Sequence, residues 1–312
     1  MAKFRHTKAA KDAVDLSDRL HVLDENDDPA SDNNNKWSGS FFFVQAADTQ
    51  FGLIERYIKK LPEPLGWTEE IQLAEEFVDK CNKMQPKPRF VTICGDLIDE
   101  QPANERRRQQ VVDFKKVFKS LDRSIPLVCV CGNHDVGDEP TEESIKEYRR
   151  DFGDDYFHFV SGGVLFIVIN SQFYKHRANV EAYAREHDNW LERMLAKCRQ
   201  FKYSILLEHI PWFLNSPNEE DEYFNINREI RLKWLKKFKD AGVDKILCGH
   251  YHRNSGGWFD ETLELVVTSA VGGVLGNDKS GARIVKLLEK GIKHQYFALE
   301  ELPEKISLVA DV

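Results

Sequence analysis

The chain has 312 residues, 41% of them hydrophobic and 11% aromatic, enough apolar matter to bury one large core. A formal net charge of -8 argues against broad electrostatic binding, so neither nucleic acid nor an anionic membrane is expected as a partner. The opening stretch MAKFRHTKAAKDAVDLSD lacks a leader's apolar run, runs such as 164–169 are too short to span a bilayer, and six scattered cysteines do not make a disulfide framework, so a reduced, cytoplasmic setting is expected.

Residues 1–40 end in DENDDPASDNNNKWSGS, a polar, acidic, turn-rich stretch, and are expected to form a disordered or loosely docked leader. A single domain is expected over 41–312. FFFVQAA (41–47) reads as a short buried strand. Next, Ile71, Ala74, Val78 and Cys81 share one face of a helix whose start carries Glu69 and Glu70, where the helix dipole favours them. RFVTIC (89–94) is a second strand. Val111, Phe114, Phe118 and Leu121 mark a second helix, LVCVC (127–131) a third strand, and 141–152 a third helix. YFHFV and VLFIVIN follow closely enough to be neighbouring strands. A helix at 182–199 leads to the strand YSILLE (203–208). Another at 228–240 carries Ile230, Trp234 and Phe238 on one face and stops at Ala241-Gly242, before the strand KILC (245–248). LELVVTSA, ARIVKLL and KHQYFAL add strands between glycine turns. The alternation predicts an α/β domain, and the late strands a second sheet packed on the first.

In α/β sheets, ligands gather beyond the carboxyl ends of strands. Beyond five of these strands lie DTQ, GDLID, GNHD, HIP and GHYH. Each exit delivers Asp, Asn or His, and three carry a glycine that permits a tight turn. In GHYH the two imidazoles are one residue apart, the spacing that puts side chains on one side of an extended chain. The candidate ligands are the carboxylates Asp48 and Asp96, the amides Gln50 and Asn133, and the imidazoles His209, His250 and His252. This mixed oxygen and nitrogen set suits Zn, Fe or Mn, and seven groups suit two ions sharing a carboxylate better than one ion.

In order, these motifs resemble those of the calcineurin-like metallophosphoesterase superfamily over about residues 41–300. ADTQFG, PKPRFVTICGDLI, FGDDYF and CGHYHRNSGG are closer still to one animal branch described as serine/threonine protein phosphatases. The resemblance implies a four-layer α/β/β/α sandwich with a dinuclear site of divalent or trivalent ions between its sheets. Asp48, Gln50, Asp96 and His252 would hold one ion. Asp96, as the bridge, would join Asn133, His209 and His250 around the other. It further implies in-line attack on phosphorus by a hydroxide between the cations, with His134 as general acid, Asp135 orienting it, and a phosphorylated protein as substrate. The alternatives are a phosphodiesterase or nucleotide phosphatase acting on small molecules, and a catalytically weak interaction scaffold.

Two departures stand out. Gln50 occupies a position where most of the superfamily has His, and an amide oxygen is the weaker ligand. Glu100 stands where the main phosphoprotein phosphatases carry the Arg that grips phosphate, which makes Arg253 a candidate substitute. Other features take plainer readings. His158, His176, His187 and His294 read as satisfied groups, the cysteines as small apolar residues, and Arg106–Arg108 as a solvated helix face. NEEDEYFN (218–225) reads as a solvated loop that would disfavour acidic substrate flanks if it rims the cleft.

Overall fold

The computed structural model describes residues 21–22, 28, 30 and 34–309, so the leader expected over 1–40 lies largely outside the described residues. Among the described residues, twelve strands run in chain order: β1 (His21–Val22), β2 (Phe41–Ala46), β3 (Val91–Cys94), β4 (Leu127–Val130), β5 (Phe157–Ser161), β6 (Val164–Val168), β7 (Tyr203–Leu207), β8 (Lys245–Cys248), β9 (Ser255–Phe259), β10 (Leu263–Val267), β11 (Gly281–Leu288) and β12 (Gly291–Ala298). The helices are α1 (Thr68–Lys83), α2 (Arg107–Phe118), α3 (Asn133–Val136), α4 (Glu142–Asp151), α5 (Gln172–Lys175), α6 (Glu181–Leu195) and α7 (Arg228–Ala241), with a five-residue π-helical turn at Ile54–Ile58. Among the described residues no helix is long and apolar enough to cross a membrane.

The strands form two sheets. One has the order β12-β11-β2-β3-β4, the other β1-β5-β6-β7-β8-β10-β9. β2, β3 and β4 are mutually parallel, as are β6, β7, β8 and β10. Side-chain alternation along these strands sets the layers. Phe41 and Phe43 face inward with Val128 and Val285 and meet Phe159, Phe166, Ile205 and Leu247 of the other sheet. Phe42 and Val44 face outward onto Phe77 of α1 and Phe114 of α2. On the far side, Ile167, Leu206 and Ile246 pack on Trp190 of α6 and Trp234 of α7. The result is the four-layer α/β/β/α sandwich.

Most expected elements match to within a few residues. α7 ends where Gly242 takes a left-handed φ of 87°, a conformation that costs glycine little. β9 went unread because SGGWF carries two glycines, which hide a strand's alternation. At the end of the expected leader, Trp37 packs edge-on against Tyr203 with centroids 5.9 Å apart.

The sheets are joined by aromatic rings. Phe166 stacks on Phe159 at 4.8 Å and meets Phe90 edge-on at 5.0 Å and Phe43 at 5.5 Å. Phe166→Ala is expected to lower unfolding free energy by about 3–5 kcal/mol, and Phe166→Leu by clearly less, measured by urea denaturation of metal-free protein.

Candidate metal centre

The ends of β2, β3 and β4 from one sheet and of β7 and β8 from the other converge on one place. Their loops are laced together by backbone hydrogen bonds, including Asp48 N to Gly95 O (3.0 Å), Gln50 N to Asp96 O (2.9 Å) and Gly249 N to His209 O (3.1 Å). Five of the seven candidate ligands lie in the left-handed region: Asp48 (φ 53°), Gln50 (33°), Asp96 (49°), His250 (70°) and His252 (52°). Such residues cost about 1–3 kcal/mol each unless their surroundings hold them, and they cluster at functional sites. The glycines beside them serve closeness more than turning. A Cβ on Gly132 would lie 2.2 Å from Asp96 Oδ1, and one on Gly249 2.7 Å from Asp48 Oδ2.

Among the described residues, two groups of buried side chains offer ligand atoms within 4.8 Å of one another: Asp96, His209 and His250, and Asp48, Asp96 and His252. Asp96 belongs to both. Around His209 Nε2 stand Asp96 Oδ2 at 3.3 Å, Asn133 Oδ1 at 3.1 Å and His250 Nδ1 at 3.1 Å. His209 Nδ1 donates to Cys94 O (2.8 Å), which leaves Nε2 for this crowd of lone pairs. His252 Nδ1 donates to Gly273 O, and its Nε2 lies 3.4 Å from Asp48 Oδ1. Gln50 donates from its amide nitrogen to Asp99 Oδ1 (3.1 Å), and its buried Oε1 has no hydrogen-bond partner. Converging lone pairs and an orphaned amide oxygen fit cations, and the oxygen and nitrogen donor set fits Mn, Fe or Zn.

The protonation pattern agrees. Burial pushes the Asp48 carboxyl well above its usual range. Burial also opposes ionisation of Asp96, but His209 and His134 outweigh it and hold that carboxyl low. Burial opposes a charge on His209 as well, yet Asp96 and Asp48 raise it to about 9. Burial and the charge of His209 push His250 far down, and burial takes His252 to about 4, so both keep the neutral ring that ligates metals.

His134, expected as the acid, stands beside this cluster on α3. Its backbone N–H donates to Asp96 Oδ1 (2.9 Å). Its Nδ1 faces the Asp99 carbonyl and lies 3.6 Å from Asp99 Oδ1. Burial disfavours its charged form, but Asp96 and Asp99 raise its pKa overall. Asp135, expected to orient His134, is occupied otherwise: its carboxylate accepts from Leu97 N (3.1 Å) and Gly132 N (2.8 Å). The one-residue spacing on α3 turns it toward the β3 loop, so the group touching the ring is Asp99, the last residue of GDLID. Arg253 is also engaged elsewhere. It donates to the carbonyls of Tyr251 (3.1 Å) and Leu275 (2.7 Å) and lies over the Tyr251 ring, so it braces the loop after His252.

Three arginine and tyrosine roles escaped the sequence reading. Arg107 is buried, not solvated. It donates to the carbonyls of Glu100 (2.8 Å), His134 (3.0 Å) and Asp135 (2.6 Å), clamping two of the loops. The signal was its spacing: 107, 111, 114 and 118 fall on one helical face. Arg56, on the π-helical turn, donates to Asp99 Oδ2 (2.9 Å) and pairs with Glu100. Tyr223 accepts from Asn133 Nδ2 (3.2 Å), with its ring 5.2 Å from that of His250, so NEEDEYFN does rim the cleft. Beside it lies a cavity of 260 Å³ lined by Asp138, Gln172 and Lys175. The cysteines are all free and buried; the Cys94 thiol points at the Leu247 carbonyl of the facing sheet and the Cys248 thiol at the Val266 carbonyl of the neighbouring strand. His158 and His187 are buried beside Trp190, away from the centre.

Comparison with known proteins agrees with this geometry. A family profile described as calcineurin-like phosphoesterase matches residues 43–254. The serine/threonine-protein phosphatase CPPED1 of Bos taurus is 44% identical over 280 residues, covering 88% of this chain and 89% of its own. The protein of that name from Danio rerio is 44% identical over 278 residues, covering 88% and 90%. A crystal structure of a dimetal phosphatase from Danio rerio shares the fold at 16% identity, with a TM-score of 0.60 over 84% of this chain and 97% of that one.

Metal binding at His209 must displace a proton that the metal-free protein holds up to about pH 9. Apparent affinity for Mn²⁺ is therefore expected to rise about tenfold per pH unit from 7 to 9 and then flatten, measured in metal-buffered solutions with a competing chelator. An affinity independent of pH over that range would show that the proton is not there.

Proposed function

The chain belongs to the calcineurin-like phosphoesterase family, and from that premise we propose that it is a metal-dependent phosphomonoesterase acting on phosphoserine or phosphothreonine in proteins. The observation that carries this reading is the pair of buried ligand groups sharing Asp96, with His134 hydrogen-bonded to that same carboxylate. Asp48, Gln50, Asp96 and His252 would hold one ion, and Asp96, Asn133, His209 and His250 the other. Bound there, two cations would supply Lewis acidity for phosphoryl oxygens and for water near neutral pH.

The remaining chemistry belongs to the chain. His134 would hand a proton to the departing serine oxygen, which is too basic to leave unaided. Its Nδ1 contact with the Asp99 carbonyl fixes the ring, and the Asp99 carboxylate favours the charged imidazole that donates. Arg56 and Gln50 hold that carboxylate from its other sides. Arg107 fixes the backbone of both loops on which acid and carboxylate ride. The reading of a phosphoprotein substrate is supported by the relatives named above.

The test is turnover by metal-stripped protein reconstituted with Mn²⁺, Zn²⁺ or Mg²⁺, using p-nitrophenyl phosphate, its bis-ester and a phosphoserine peptide. Monoester and peptide hydrolysis are expected. His134→Asn is expected to lower kcat for the phosphoserine peptide by about 10²–10⁴-fold. It should cost p-nitrophenyl phosphate much less, since that leaving group needs no proton. Preference for the bis-ester would move the assignment to a phosphodiesterase. No turnover with any metal by folded protein would leave an interaction scaffold.

A further inference from the structure

We propose that the mouth of this site docks an extended phosphopeptide with an apolar residue on one side of the phosphorylated residue and a basic residue on the other. The proposal rests on the phosphatase reading and adds to it the flanks that a substrate presents.

Eight bulky apolar or aromatic side chains are exposed among the described residues, and four of them stand at this mouth: Tyr57 (51%), Ile58 (42%), Leu275 (36%) and Tyr223 (54%). The first three form one bank. Tyr57 and Ile58 follow Arg56 on the π-helical turn, and Tyr57 lies within electrostatic reach of Asp99. Ile58 packs against Gly273, where a Cβ would come within 2.8 Å of its Cδ1, and Gly273 O is the acceptor for His252 Nδ1. Leu275 N donates to His252 O (3.3 Å). This apolar bank therefore lies just outside His252. A concentration of exposed apolar surface at a polar centre is the pattern of a recognition surface.

The opposite bank is acidic and lies outside Asn133 and His250. Tyr223 touches both residues, and the three residues before it, Glu220, Asp221 and Glu222, are exposed. Asp138 and Glu139, exposed beyond Asn133, add to the charge. Lys175, behind this bank, turns its ammonium to the carbonyls of Glu222 (2.7 Å) and Asn225 (2.6 Å). The two banks flank one carboxylate, since His252 Nε2 lies 3.4 Å from Asp48 Oδ1 and His250 N donates to Asp48 Oδ2 (3.0 Å).

A phosphoserine has a short side chain, so delivering its phosphate between the banks brings the peptide backbone to the mouth. Its neighbours then touch both banks. An apolar neighbour covers Ile58 and Leu275, and a cationic one is drawn to Glu220 and Glu222, while an anionic one is repelled; the Asp221 carboxylate is taken by Arg231 and the Arg228 N–H. A small phosphate ester reaches neither bank.

The test uses the full-length, Mn²⁺-loaded protein and four fluorescent peptides carrying a phosphonate mimic of phosphoserine. Their flanks are Leu before and Lys after, Lys before and Leu after, Gly on both sides, and Glu on both sides. One of the two Leu/Lys peptides is expected to bind roughly tenfold tighter than the Gly peptide, about 1.4 kcal/mol, with the Glu peptide weakest. Ile58→Ser with Leu275→Ser should erase the Leu advantage, and Glu220→Lys with Glu222→Lys should reverse the preference for Lys over Glu. Four affinities within twofold, or a ranking that neither pair of substitutions alters, overturns the proposal. Wild-type turnover of p-nitrophenyl phosphate reports separately on the phosphatase reading. Turnover with flat affinities removes the docking surface alone, and the expected ranking without turnover removes the phosphatase reading alone.

Discussion

Two carboxylates buried within reach of the same histidines cost several kcal/mol unless positive charge comes with them. Asp48 and Asp96 are in that position, and the rest of the centre answers it. Burial drives Asp48 toward its neutral form, while His209 takes up a proton far above its ordinary range and holds Asp96 ionised. The space among Asp96, Asn133 and His250, in front of His209 Nε2, is where a cation fits. The same carboxylates also order the backbone: Asp48 accepts from His250 N, and Asp96 from His134 N. Charge balance at the centre and the conformation of its loops are therefore one problem.

The loops can bear left-handed Asp, Gln and His residues because they hang from short parallel strands that are buried almost throughout. The aromatic rings of Phe43, Phe90, Phe159 and Phe166 fix one sheet against the other, and with it the Asp48 and Asp96 loops against those of His209 and His250. Arg107 adds a clamp at the outer edge. Its guanidinium satisfies three buried carbonyls and lies 3.5 Å from Glu147, an arrangement that breaking on one side would leave with unpaired buried polar groups. Sheet packing thus reaches His134 through a short chain of contacts, and rigidity at the centre is inherited from the core.

The strands and the ligand types were legible in the sequence because each depends on local pattern. Apolar runs end at Asp, Asn or His, and the exits of parallel strands share one edge. The roles that failed to show depend on which way a side chain turns after the chain has folded. Asp99 and Asp135 both sit in motif positions near His134, and only the short helix α3 decides that Asp135 turns to Leu97 while Asp99 meets the ring. Arg253 follows a ligand directly, yet the 273–276 loop captures it. Arg107 hid in a run of three arginines whose charge suggested solvent, although its spacing from Val111 and Phe114 pointed to the core. The apolar bank of Tyr57, Ile58 and Leu275 joins segments more than two hundred residues apart, which no local pattern can reveal.

If Asp96 serves both halves of a dinuclear centre, as proposed, the number of ions bound per chain must depend on it. Folded protein reconstituted with Mn²⁺, freed of excess and analysed by mass spectrometry should carry about two ions per chain. His252→Ala and His209→Ala should each keep about one, and Asp96→Asn, shown to be folded by circular dichroism, should keep almost none. An Asp96→Asn protein that retains one ion or more with unchanged affinity would contradict the account.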